Sequence, residues 1–229
     1  MASGRHVIVA GGGIAGLTTA LCLSRAGLRA TVLEQSPKLE ETGAGIQLSP
    51  NATRILLDLG LHDYLASLVT VPRAIRVMSG GNGQEITRIP LGDAATARYG
   101  APFWTIHRGD LQSALSAACE DALDVEVNLG LRLDDFAAHG NGVTVQSYRG
   151  RQVVDDRANA LIGADGIWSH VAAKLERQRK PSFAHRTAWR ALVPIDTMPD
   201  NMRGNLINLW LGVDAHLVMY PVRAGRLMN

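Results

Sequence analysis

Gly11-Gly12-Gly13-Ile14-Ala15-Gly16 decides the fold. The stretch satisfies G-x-G-x-x-G, a weak signal alone, but its surroundings carry it. Residues 5–10 form a short apolar run ending at the glycines, as a buried parallel strand does. From Ile14 to Arg25 apolar residues recur at helical spacing, and Gly27 supplies a stop signal. Ala30-Thr31-Val32-Leu33 continues as a second strand ending at Glu34. The first ~35 residues therefore read as a βαβ unit. Glu34 stands 18 residues after Gly16, where an acid that binds ribose is expected. In this setting Gly11 permits the tight turn and Gly13 lets backbone approach a pyrophosphate. Gly16 lets helix and strand pack closely. The helix N-terminus offers free N–H groups and about half a positive charge to the anion. Ala15 and Gln35 complete the dinucleotide set at this turn and strand end. The alternative is a tight βα turn with no ligand.

Working outward, residues 36–49 read as a long loop containing Gly43-Ala44-Gly45, and Ser49-Pro50-Asn51 supplies cap chemistry for a helix to about Leu59. A hairpin is expected over 74–90 around Gly80-Gly81-Asn82-Gly83. A helix follows over Arg108–Asp121, then a strand over Val125–Leu129. Residues 131–162 alternate as strands with a turn at Gly140-Asn141-Gly142, and a short helix lies near 169–175. From 183 the pattern is strand after strand: 187–194, 206–211, 215–220 and 227 onward. A boundary is placed near 178–182, giving domains 1–180 and 181–229. Residues 225–229 resemble the opening of a strand, which would leave a sheet edge unpaired if the chain stopped there. The fold class expected is α/β, a Rossmann-like dinucleotide-binding domain followed by an incomplete β-rich domain.

Composition narrows the function classes. With 229 residues, folding should bury roughly 70% of the chain's surface without a disulfide or metal staple. Apolar residues at 46% and charged residues at 19% describe a soluble globular protein rather than a disordered one. No apolar run reaches the ~18–20 residues of a membrane span, and the N-terminus carries no secretory pattern, so a cytoplasmic location is expected. A net charge of +2 is too weak to argue for nucleic acid. Arg177-Gln178-Arg179-Lys180 reads as a solvated helix end. Cys22 and Cys119 sit in apolar helical patterns and read as two reduced core cysteines. The histidines are dispersed, so no metal is expected.

Three further segments separate the dinucleotides. They are residues 43–51 (Gly43-Ala44-Gly45-Ile46-Gln47-Leu48-Ser49-Pro50-Asn51), His107-Arg108-Gly109-Asp110-Leu111, and Gly163-Ala164-Asp165-Gly166-Ile167-Trp168-Ser169. With the glycine loop, and in this order, the chain resembles the class A flavin monooxygenases, aromatic hydroxylases that use FAD and NAD(P)H. The resemblance implies that the 43–51 segment, with Gly45 and Gln47, lines the flavin. It also implies that Arg108 contacts the ribityl–phosphate region, that Asp165 serves both FAD and NAD(P)H, and that backbone at Leu131 lies by the cofactor. Read without the resemblance, each has a plain alternative: a flexible loop, a helix-start Arg, a turn residue before a helix.

Trp189-Arg190-Ala191-Leu192-Val193-Pro194 and 216–223 (His216-Leu217-Val218-Met219-Tyr220-Pro221-Val222-Arg223) resemble the branch that hydroxylates salicylate, 3-hydroxybenzoate and 6-hydroxynicotinate. The resemblance implies that His216 and Tyr220 line the ring pocket as catalytic residues. Positions four apart on a strand share a face, so both can meet one substrate. Arg186, Arg190 and Arg223 are candidates to anchor a substrate carboxylate, with a surface role as the alternative. Gln47 stands where nicotinate hydroxylases carry a His, and Gln cannot act as a general base, which points away from that substrate. The function implied is hydroxylation of a small aromatic acid, such as salicylate or a hydroxybenzoate, with O2 as co-substrate. A non-catalytic FAD-binding remnant and another FAD-linked oxidoreductase are the competing classes. Oligomeric state is left open, a homodimer included.

Overall fold

The structure is a computed structural model that describes residues 4–39, 43–175 and 181–229. In chain order its elements are β1 (His6–Ala10), α1 (Ile14–Arg25), β2 (Arg29–Glu34), β3 (Gly45–Leu48), α2 (Pro50–Asp58), α3 (His62–Leu65), β4 (Ala74–Ser79) and β5 (Glu85–Pro90). Next come α4 (Asp93–Tyr99), β6 (Trp104–His107), α5 (Arg108–Asp121), β7 (Val125–Leu129), β8 (Arg132–His139), β9 (Gly142–Arg149), β10 (Gln152–Ala158), β11 (Ala160–Gly163) and α6 (His170–Lys174). The last are β12 (Val193–Pro194), β13 (Ile207–Leu211), β14 (His216–Met219), β15 (Pro221–Val222) and β16 (Leu227–Met228). They fall into two compact units, 1–40 with 112–187 and 41–111 with 188–229. The chain thus crosses between units three times, once inside α5. The cut expected at 180/181 lies at the edge of residues 176–180, outside the described residues, as does the basic run 177–180.

In the first unit a parallel sheet has the order β11-β1-β2-β7. The two central strands are apolar where both faces are covered, over residues 7–10 of β1 and 32–33 of β2, while the edge strand β7 carries Glu126 and Asn128. Val9 and Val32 pack with Ala20 of α1 on one side. Ile8, Ala10 and Leu33 pack on the other side against Leu133, Val143 and Val145 of the antiparallel β10-β9-β8 sheet. Along β9 the alternation is plain: Val143, Val145 and Ser147 are buried and their neighbours are not. Each fully buried Ile, Leu or Val here contributes about 1.5–3 kcal/mol of apolar transfer.

In the second unit the β4–β5 hairpin forms around the Gly-rich turn as expected, and β13 adds to β4 in parallel, with β14 beyond it. Three readings are corrected here. The stretch expected as loop over 36–49 contains β3, paired antiparallel to β6 with Gly45 opposite His107. Of the strand expected over 187–194, only Val193–Pro194 forms; residues 187–191 are exposed and have no strand partner. The strand at 227 is no edge: β16 lies between β12 and β15. Ser49 occupies the N-cap of α2, yet its hydroxyl bonds Asn51 rather than capping the helix.

The cysteine expectation fails at one position. Cys119 is buried and Cys22 is exposed, because Leu17, Ala20 and Leu21 take the inner face of α1. Burial pushes the Cys119 thiol up to about 11. Only the thiolate reacts, so the native protein should titrate one thiol with Ellman's reagent at pH 8 and two after denaturation. Two fast thiols in the native state would contradict this packing.

Candidate functional site

In the first unit β1 and β2 deliver their carboxyl ends to one cavity of about 400 Å³. That is the end of an open α/β sheet where ligands bind, and the volume falls within the ~300–1,000 Å³ of ligand pockets. Gly11, Gly13, Glu34, Gln35, Leu131 and Asp165, six of the residues selected from the sequence, line it together.

The glycines differ in what they do. Gly11 has φ +103°, and a Cβ there would strike the carbonyl of Ala164. A Cβ on Gly16 would overlap the carbonyl oxygen of Gly11, so this glycine sets how closely α1 approaches the turn. Gly13 is different: a Cβ there meets nothing within 4 Å. It is the N-cap of α1, in extended conformation, and no side chain caps the helix. The helix N-terminus is left for an anion from outside. Ala15 lies in the first turn of α1.

Glu34 is already engaged. Its Oε2 accepts from the Gly12 N–H at 2.6 Å and its Oε1 from the Ser36 N–H at 2.7 Å. A carboxylate has about four acceptor positions, so capacity for ribose hydroxyls remains, and the two backbone bonds fix its orientation. Asp165 accepts from the Ser169 hydroxyl and from the N–H groups of His170, at 2.7 Å, and Val171, at 3.2 Å. It therefore ties down the start of α6 while lining the cavity, which joins the turn-residue reading to the binding one. The Leu131 N–H donates to the Glu34 carbonyl at 2.9 Å, holding that segment against the end of β2.

Sequence reasoning missed Gln112, whose Nε2 donates to the Gly12 carbonyl at 3.0 Å and steadies the glycine turn from α5. No local pattern signals that contact, which spans 100 positions. It also passed over Arg132, Trp168 and His170 as lining residues, although Trp168 stands inside the Asp165-Gly166 segment.

In the second unit β3 and β6 bring the Gly43–Gly45 and His107–Arg108 segments together. The Arg108 N–H donates to Ala44 at 3.1 Å, and a Cβ on Gly43 would come within 3.3 Å of the Arg108 side chain. Arg108 itself is exposed. Gln47 is half-buried in β3, opposite Thr105. Gly45 is tightly enclosed: a Cβ would lie 2.6 Å from the Tyr220 ring.

Beneath Arg108 lies a buried polar cluster. His107 Nε2 donates to the Gly43 carbonyl at 3.1 Å. Its Nδ1 stands 3.3 Å from Asp110 Oδ1 but outside hydrogen-bond geometry. Asp110 receives both arms of Arg223, Nε at 3.0 Å and a terminal nitrogen at 2.8 Å. Arg223 is thus committed to Asp110 and is withdrawn as a substrate anchor. Arg186 and Arg190 are exposed.

His216 and Tyr220 do not share one strand face. β14 ends at Met219, and the chain then changes sheet, with Pro221 pairing Met228. His216 is exposed at the start of β14, whereas Tyr220 is 6% exposed and packs with Ile207 and Val222. Burial pushes the Tyr220 phenol up, and the Arg190 charge partly opposes this.

The residues of the first cavity fit a dinucleotide: an uncapped helix N-terminus, open space over Gly13 and a fixed carboxylate at the next strand end. Among the described residues no group of His, Cys, Asp and Glu is placed to hold a metal, and no helix is long and apolar enough to cross a membrane.

Comparison with known proteins agrees with this geometry. The family model described as FAD binding domain matches residues 5–224. The chain is 34% identical over 224 residues to 3-hydroxybenzoate 6-hydroxylase 1 of Aquipseudomonas alcaligenes, covering 98% of this chain and 56% of that protein. It is 37% identical over 224 residues to 3-amino-4-hydroxybenzoate 2-monooxygenase of Streptomyces cremeus, covering 98% and 55%. Among solved structures, Klebsiella pneumoniae HpxO complexed with FAD and uric acid superposes with a TM-score of 0.77 at 23% identity, over 98% of this chain and 55% of that one. The chain spans about half the length of the curated relatives it matches.

Proposed function

The chain belongs to the FAD binding domain family, and on that premise we propose that it serves an FAD-dependent, NAD(P)H-consuming monooxygenase that hydroxylates a small aromatic acid of the hydroxybenzoate class. The observation that carries the reading is the single cavity that gathers the glycine loop, Glu34 and Asp165 at the ends of β1, β2 and β11. The substrate class is supported by the two hydroxybenzoate-acting relatives, each aligned over 98% of the chain. FAD, when bound, supplies the redox chemistry that passes electrons from NAD(P)H to O2 and an oxygen atom to the ring.

The chain's own residues have narrower tasks. The N–H groups at the start of α1 hold the pyrophosphate, and Glu34, with Gln35 beside it, takes the ribose hydroxyls. Leu131 and Asp165 line the nucleotide, while Gly45, Gln47 and Arg108 contact the flavin part. On the substrate side, a phenol with the ~10 pKa of Tyr costs about 4 kcal/mol to ionise at pH 7. A ring nitrogen of His216 takes that proton, which makes the ortho and para carbons more nucleophilic. Tyr220 borders the ring, and Arg186 and Arg190, both exposed and uncommitted to Asp110, are the candidates to hold the substrate carboxylate. The location proposed is cytoplasmic.

The test is FAD-loaded protein supplied with NADH, ¹⁸O2 and 3-hydroxybenzoate or salicylate. One ¹⁸O atom per product molecule is expected. NADH oxidation that yields unlabelled product would replace the reading with another FAD-linked oxidoreductase. His216→Ala is expected to lower labelled product by roughly 10²-fold or more with flavin uptake unchanged; undiminished labelling in that variant would remove His216 from the mechanism.

A further inference from the structure

The first unit holds a second cavity, of about 860 Å³, lined by Arg5, His6, Arg29, His139, Arg157 and Asn159 among others. It lies at the opposite end of β1 from the glycine loop: His6 borders this cavity and Ala10 the other. Four residue rises of ~3.3 Å separate them, roughly 13 Å along the strand, so the two cavities are distinct.

The frame of this cavity is built from backbone pairing rather than from loose loops. Register places His6 beside Arg29, and the Arg29 N–H donates to the Arg5 carbonyl at 3.0 Å. Asn159 clamps His6 from both sides, donating its N–H to the His6 carbonyl and accepting the His6 N–H on Oδ1, each at 2.8 Å. His6 Nδ1 lies 3.2 Å from the Arg157 carbonyl. A carbonyl only accepts, so Nδ1 carries the proton, and Nε2 faces the Thr31 hydroxyl at 2.9 Å. The starts of β1 and β2 and the end of β10 are therefore held together, and each contributes one arginine to the rim.

The electrostatics are one-sided. No carboxylate lines the cavity, and among the described residues none of the three guanidiniums has an ion-pair or hydrogen-bond partner. The whole chain carries a net charge of only +2, so this concentration is local and not a reflection of a basic protein. A recess walled by charge of one sign focuses its field on ligands of the other sign. Guanidinium groups offer planar forks that match phosphate oxygens. Three permanent positive charges on one backbone frame suit a ligand with more than one negative charge, which a phosphate ester or pyrophosphate supplies and a monocarboxylate does not. We propose that this cavity is a binding site for a multiply charged phosphate, separate from the dinucleotide cavity.

The test uses inorganic pyrophosphate titrated calorimetrically into the wild-type chain and into Arg29→Gln/Arg157→Gln at low ionic strength, where surface charge is least screened. Both positions are exposed, so the melting temperature should not change. Binding in the wild type that weakens by roughly tenfold or more in the double variant, as the loss of charge-assisted bonds requires, supports the site. Sedimentation with phosphatidylcholine vesicles, with and without phosphatidic acid, identifies the source of the phosphate. Capture by the acidic vesicles alone, lost in the double variant, makes it a lipid headgroup; pyrophosphate binding without capture makes it a free phosphate. Absence of binding in both arms, or pyrophosphate affinity unchanged in the double variant, would overturn the proposal, the latter by assigning the anion to the glycine loop.

Discussion

Gly13→Ala is expected to keep the melting temperature of the parent and to lower FAD affinity by about a hundredfold, equivalent to about 2.7 kcal/mol. A Cβ on Gly13 meets no protein atom within 4 Å, and at an N-cap in extended conformation Ala costs no backbone strain. The methyl group instead occupies the space a pyrophosphate needs in order to reach the N–H groups of α1. Gly16→Ala makes the contrasting variant. Its methyl group overlaps the Gly11 carbonyl, α1 must move off the turn, and overpacking of this kind costs about 1–3 kcal/mol. The second variant should therefore lose both stability and FAD, and the first FAD alone. Scanning calorimetry beside flavin fluorescence separates them. Full FAD affinity in Gly13→Ala would mean that the cofactor does not use this helix end.

Asp110→Asn should destabilise the second unit by about 2–4 kcal/mol. Removing one partner of a buried ion pair strands the other, usually at about 3–5 kcal/mol. The figure is discounted because the Arg223 side chain is 32% exposed while that of Asp110 is only 9% exposed. The consequence extends past stability. His107 borders Asp110 and donates to the Gly43 carbonyl, and Gly43 packs on Arg108. Urea unfolding measures the loss; a change below about 0.5 kcal/mol, the size of an ordinary surface exchange, would show that the cluster is not a unit of stability.

The sequence was most readable where local rules and tertiary demand coincide. β1, α1 and β2 announce themselves because a doubly covered parallel strand must be apolar, the turn must be glycine, and the helix must present one apolar stripe. The bounds expected for α5 and β7 coincide with those observed for the same reason. Legibility falls where a partner distant in sequence makes the structure. β3 and β6 are four residues each and stabilise one another across some sixty positions, and neither shows the length or alternation that marks a strand alone. At 187–191 the pattern suggests a strand and no neighbour pairs with it, a case of β-propensity without context. The two-residue period of strands puts Tyr220 on the face of His216, but that period stops where the chain changes sheet before Pro221. Cys22 stands one helical step of about 100° from the buried Leu21, enough to turn it from the core to solvent. Within the candidate site, the residues carried by motifs were found and the supports were not. Gln112 and the Arg223–Asp110 pair are contacts of fold, not of pattern.

The most direct measurement of the central claim is a titration of the purified chain with FAD, followed by visible absorption and flavin fluorescence. The account predicts saturable uptake of one FAD per chain with a perturbed flavin spectrum, abolished in Gly16→Ala and much weakened in Gly13→Ala. A spectrum that remains that of free FAD at every protein concentration would contradict the assignment of the β1–α1–β2 cavity as a working cofactor site in this chain.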